Sequence, residues 1–294
     1  MERINYSYFI ATAMVLLASL SLTGCRIGAS KAELAKDTIP ATLATDSIVF
    51  NEKSDSSTEC KIVVDYPTGD DSLAMGVRNY IARELSSVYL PLVNADSDRK
   101  TYAMYSGNID NGKDVVSYYC KGTIQYLKEQ CSQLREAGMT EMPHLSCDVS
   151  VRKTYENNAY VTYTTSTYSF LGGAHGSAMT YSVNIAKSNA SVVEQVVDTT
   201  KTLAMQPLLR AGVVRYLRSI GDNNITVKNL GDYLFIENGV VPLPANVPYL
   251  AKDGVHFVYQ QYEIGPYAMG MVAFTVPYSK IKPFLTKEAK TLID

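Results

Sequence analysis

The stretch "CDVSVRKTYENNAYVTYTTSTYSF", Cys147–Phe170, decides the fold. Residues on both sides of Glu156-Asn157-Asn158 alternate with a period of two, and the arms are rich in Val, Thr and Tyr. Alternation of this kind, broken by adjacent asparagines, predicts a β-hairpin. Tyr160, Thr162, Thr164, Ser166 and Tyr168 then share one face of the second arm, because successive side chains of a strand point to opposite sides.

Upstream, "CKIVVDYPTG" predicts a strand stopped by Pro67 and Gly69. Leu73, Val77, Tyr80, Ile81, Leu85 and Val88 follow at helical spacing up to Pro91. Asp70-Asp71 suits a helix cap better than a calcium loop. "NADSDRK" and "SGNIDNGKD" are turn-rich stretches around "TYAMY". The next helix, within Lys113–Ala137, carries Val116, Cys120, Ile124, Leu127, Cys131 and Leu134 on its apolar side and ends at Gly138. Downstream, "AMTYSVNIAKSNASVVEQVVD" predicts a second hairpin with its turn near Lys187 to Ala190. A helix spans Thr202 to Ile220, burying Leu203, Leu209, Val213, Leu217 and Ile220, and Pro207 places its start near that residue. "DYLFIENGVVPL", "GVHFVYQQYEI" and "MVAFTVPYSKIKPFL" predict further strands, the last running into a short helical turn. Hairpins grouped with about three amphipathic helices give an α+β fold of antiparallel sheets rather than a doubly wound one.

The 294 residues carry a net charge near zero, formally −2, with no basic stripe, which argues against nucleic acid as a partner. Trp is absent while Tyr reaches 22, a composition suited to sheets with wet surfaces. The first segment, "MERINYSYFIATAMVLLASLSLTGC", has a basic start and an apolar run, Phe9 to Leu22, too short for a comfortable membrane span. It reads as a secretion signal. Its end, Leu22-Thr23-Gly24-Cys25, resembles the lipobox of bacterial lipoproteins and implies cleavage before Cys25 and lipidation of that residue. Acyl chains there would hold the protein on a membrane, with the outer membrane facing the periplasm as the expected position. Four segments follow: a signal peptide over 1–24, a flexible tether over 25–57, an N-terminal α+β half over 58–176, and a C-terminal α+β half over 177–294.

Four cysteines remain once Cys25 is lipidated. Cys120 and Cys131 lie on one helix about 16 Å apart, beyond disulfide reach. If bridges form, each helix cysteine must meet Cys60 or Cys147, both on predicted strands. Four buried thiols behaving as small hydrophobes is the alternative.

The order "VSVRKTYENNAYVTYTTSTYSFLGGAHG", hairpin, helix, "GVHFVYQQYEIGPYAMG" and "VPYSKIKPFL" resembles a known pattern. It is similar to the extracytoplasmic domain of unknown function at the C-terminal end of the anti-sigma factor RsiV and beside the catalytic domain of the deacetylase PdaC. Many Bacteroidetes lipoproteins carry that domain. The specific parts are Gly172-Gly173-Ala174-His175-Gly176 and Tyr262-Glu263-Ile264-Gly265-Pro266-Tyr267-Ala268-Met269-Gly270, and the likeness covers roughly Cys60 to Leu285. Ser188-Asn189 stands where that family's turn commonly holds Thr-Gly, and Val197-Asp198-Thr199-Thr200 blurs its Asp-Leu-Phe. The anti-sigma segment and the deacetylase domain have no counterpart in this sequence. The resemblance therefore implies a binding or sensing module for a protein or cell-wall ligand, since in RsiV the domain binds host lysozyme.

The candidate ligand-binding or loop-organising residues are Gly172, Gly173, His175, Gly176, Tyr259, Tyr262, Glu263 and Tyr267. Alternation along "FVYQQYEI" sends Phe257, Tyr259, Gln261 and Glu263 to one face. A carboxylate at that strand's end needs donors, and His175, a Tyr hydroxyl or the N–H groups of the glycine loop would supply them. The two motifs are expected to face each other, with Glu263 holding the loop. The competing reading is a peptidoglycan hydrolase using Glu263 and His175 as acid and base, but a lone His beside a lone Glu lacks a nucleophile and an orienting third group. No catalytic residue is assigned. His144 and His256 lie in unlike contexts without metal-ligand spacing, so neither a metal nor another cofactor is expected.

Overall fold

The computed structural model describes residues 42–54, 57–93 and 102–293. The segment expected to be a signal peptide, Cys25, the expected tether up to residue 41 and the turn-rich stretch "NADSDRK" lie outside the described residues. The architecture is α+β, with a six-stranded sheet, a three-stranded antiparallel sheet and five α-helices among the described residues.

The large sheet runs in sequence order from β1 (Thr45–Ser54) and β2 (Thr58–Pro67) through β3 (Leu145–Glu156), β4 (Tyr160–Phe170) and β5 (Ser177–Ala186) to β6 (Ser191–Val192). All pairings are antiparallel except β2–β3, and that parallel pair is bridged by helices α1 (Ser72–Val93) and α2 (Gly112–Glu136). Asp71 accepts from Ala74 N at 3.0 Å and Asn111 accepts from Asp114 N at 3.3 Å, so each helix starts on an Asx cap. Both lay their apolar stripes on one face of the sheet. Cys60, Ile62 and Val64 of β2, Cys147 and Val151 of β3, and Val161 and Tyr163 of β4 are buried beneath them.

A second core forms on the opposite face, over the β4–β5 end. Helix α3 (Thr202–Ser219) and strands β7 (Tyr249–Leu250), β8 (Gly254–Tyr259) and β9 (Val272–Pro277) enclose Phe257, Tyr259 and Phe274 together with Tyr160 and Ala186 of the large sheet. The short helices α4 (Tyr278–Ile281) and α5 (Lys287–Thr291) close it. As the alternation predicts, Tyr160 and Thr162 share the face carrying Ser166 and Tyr168. The first two are covered by this second core, and Tyr168 stays 41% exposed.

Several expectations are corrected. The tether assigned to 25–57 contains β1, whose Ile48, Phe50 and Glu52 turn partly inward while their neighbours stay exposed. The boundary at 176/177 falls inside the sheet, between paired β4 and β5. "DYLFIENGVVPL" forms 3₁₀ turns at Leu230–Asp232 and Glu237–Gly239 instead of a strand, because Asn238 and Gly239 both adopt positive φ, 52° and 65°. Strand β8 stops at Tyr259, before "QQYEI". Leu203 and Ile220 are 72% and 53% exposed rather than buried. Helix α3 begins at Thr202, ahead of Pro207, whose missing N–H would have met the carbonyl of Leu203 in the exposed first turn. Among the described residues, Cys60, Cys120, Cys131 and Cys147 are all buried free thiols.

Candidate functional site

The glycine loop joins β4 to β5, and the "YEIGPY" turn follows β8. Gly172 and Gly173 adopt φ of 92° and 106°, a region that glycine enters without the clash a side chain would meet. Gly176 has a different reason. A β-carbon there would lie 2.5 Å from the ring of Tyr168, so glycine permits the close approach of that aromatic.

The two motifs do meet. The His175 ring stacks on Tyr267 with centroids 4.1 Å apart and planes 23° from parallel. Tyr267 donates its hydroxyl to Gly176 O at 3.1 Å, and His175 Nδ1 lies 3.0 Å from the same carbonyl oxygen. Tyr262 extends this row, its ring centroid 5.6 Å from Tyr267 and 6.4 Å from His175. It is 57% exposed and sits at φ 66°, a conformation bulky residues rarely adopt.

Glu263 has a different role from the one expected. Its Oε1 accepts from Ala245 N at 2.6 Å and its Oε2 accepts from Gln260 N at 2.7 Å. The carboxylate thus closes its own turn and pins it to the loop before β7, while Tyr267 engages the glycine loop at His175 and Gly176. The carboxylate is committed to two N–H groups and the imidazole is stacked on a phenol. Tyr259 is also moved out of the site. It is fully buried, donates to Pro242 O at 2.7 Å, and burial, aided by the nearby Glu263 charge, pushes its phenol pKa up.

Gln260 went unnoticed in the sequence. Its Oε1 accepts from Thr180 N at 3.1 Å and its Nε2 donates to Thr180 O at 2.8 Å, so one amide clasps the backbone of β5. A glutamine just past a strand end carries no pattern that announces this.

Beside the platform, hydroxyls link three strands on the open sheet face. Thr154 and Thr164 are 2.8 Å apart, Thr164 and Ser182 2.8 Å, and Thr180 donates to Ser166 at 3.1 Å. An apolar hollow of about 380 Å³ lies between the end of α1 and strands β3 to β5, lined by Val88, Leu92, Cys147, Tyr168, Met179 and Tyr181. Tyr168 and Met179 are each 41% exposed. Among the described residues no helix is long and apolar enough to cross a membrane.

The chain is similar in structure to a member of the DUF3298 family from Bacteroides fragilis, with TM-score 0.59 and 19% identity over 84% of this chain and 95% of that one. It is also similar to a DUF3298 family protein from Pseudomonas aeruginosa, with TM-score 0.56 and 12% identity over 85% and 98%. At these identities the likeness shows a shared fold. No curated protein matches the chain. Within that fold, residues 214–279, from the second half of α3 through β9, match the family described as "Protein of unknown function (DUF3298)".

Proposed function

We propose that the chain is a non-catalytic binding or sensing module of the cell envelope, lipid-anchored through Cys25 at the outer membrane and facing the periplasm. Its ligand is a protein of lysozyme type or a fragment of the cell wall. One observation carries the reading: Tyr262 presents an exposed ring from a left-handed backbone position, in a row with His175 and Tyr267. Such a position costs about 1 kcal/mol or more for a non-glycine residue, and structures that retain it often do so for a contact outside the chain. Tyrosine suits that contact because it offers a large amphipathic surface at low entropic cost. The hollow beside Tyr168 and Met179 favours the protein ligand, since a buried side-chain anchor in such a pocket dominates many interfaces. The sequence likeness to the extracytoplasmic domain of RsiV supports the same choice.

The chain from residue 26 onward, titrated calorimetrically with lysozyme and separately with muropeptides, tests this reading. Binding of one of them is expected, weakened roughly tenfold or more by Tyr262→Ala with His175→Ala while the melting temperature holds. Release of a product from muropeptides that the double variant abolishes would favour the hydrolase and sink the binding reading.

A further inference from the structure

Three of the buried thiols converge. Cys60 of β2 and Cys147 of β3 are register partners in the parallel pair, both on the face covered by the helices. Cys120 comes down on them from α2. Its Sγ lies 3.5 Å from Cys60 O. Cys131 is eleven residues further along the helix, roughly 16 Å away by helical rise.

We propose that Cys60 and Cys120 are a disulfide site that staples α2 to β2 of the large sheet. Geometry selects this pair. Neighbouring strands run about 4.8 Å apart with parallel side chains, wider than the β-carbon separation of about 3.8 Å that a disulfide needs, so Cys60 and Cys147 would have to drag their strands together. Cys120 instead approaches Cys60 from the opposing layer, its sulfur already against the Cys60 backbone.

The Cys120 thiolate attacks a disulfide oxidant, forming a mixed disulfide and expelling one of the oxidant's sulfurs as a thiolate that takes up a proton. Cys60 then loses its proton and attacks the Cys120 sulfur, expelling the second sulfur likewise. The two chain thiols give up two electrons and two protons, and the oxidant leaves as two thiols. Both cysteines are fully buried, so the exchange belongs to folding, as α2 docks on β2.

The inference rests on the envelope reading only for the source of the oxidant, and glutathione can replace it. The full chain, unfolded and reduced, is refolded in oxidised and reduced glutathione, digested without reduction and analysed for linked peptides. A single 60–120 link is expected, with Cys131 and Cys147 alkylated once the chain is unfolded. The link should persist in Cys147→Ala, vanish in Cys60→Ala, and raise the melting temperature by roughly 10 °C over the reduced chain. Alkylation of Cys60, Cys120, Cys131 and Cys147 alike, or a link through Cys131 or Cys147, would overturn the assignment while leaving the envelope reading untouched.

Discussion

Tyr262 separates what the backbone wants from what the surface offers. At φ 66° glycine would be relaxed, whereas tyrosine is strained and gains only ring contacts with Tyr267 and His175 in return. Tyr262→Gly is therefore expected to leave stability within about 1 kcal/mol of the parent in urea unfolding, while weakening ligand capture. Tyr262→Val should instead cost about 1–2 kcal/mol more than Tyr262→Gly, since a branched β-carbon fits that region worst. Glu263 makes the complementary case. Gln in its place keeps one acceptor but turns an NH₂ group toward a backbone N–H, so Glu263→Gln should lower stability by about 1–3 kcal/mol. The sequence made its need for donors legible, because a carboxylate beside an apolar strand must be satisfied. Which donors it finds was not legible, because Ala245 belongs to an irregular loop with no period to place it.

Three amides tie elements together by one device. The Asn184 side chain donates to Leu250 O at 2.9 Å and accepts from Leu250 N at 2.6 Å, fixing β7 to β5. Gln206 of α3 does the same to Val241 at 2.8 and 2.9 Å, and Gln260 to Thr180. Each imitates the two-bond exchange of a paired strand with one side-chain amide. Asn184 is nearly fully buried, so Asn184→Ala strands a buried N–H and C=O and should cost about 2–4 kcal/mol, read as a lower urea midpoint. Hairpins and helices were legible wherever a period persisted over a turn or more, as in Cys147–Phe170 and in the stripe from Val116 to Leu134. Strand β1 escaped because an edge strand is only half-buried, and its Asp, Ser, Glu and Lys residues imitate a solvated linker. The amide clasps escaped because each joins a single side chain to backbone distant in sequence.

At the scale of the whole molecule, β4 and β5 serve both cores: Val161, Tyr163 and Ile185 face the helices, while Tyr160 and Ala186 face the second core. Glu156 adds an electrostatic tie among three distant segments. It accepts from Leu43 N at 2.7 Å and pairs with Lys153 at 3.1 Å and with buried Lys187 at 2.6 Å. Burial alone would raise its pKa, but the bonds from Lys187, Leu43 and Lys153 together hold it below the ordinary carboxyl value. A depressed native pKa means that this group's stabilisation is complete above the unfolded value, near about 4.3, and is lost as pH falls through the lower folded value. Acid titration should therefore show a steeper loss of stability below about pH 4 in the parent than in Glu156→Gln. That variant leaves Lys187 buried with a weakened partner, and should be about 3 kcal/mol less stable at neutral pH. Because the shared strands carry the load of both cores, neither core can lose its sheet wall alone. Native-state hydrogen exchange in Asn184→Ala should reveal this, with the most protected amides of α1 and β8 losing protection by the same free energy. A change confined to β8 would show that the second core opens independently.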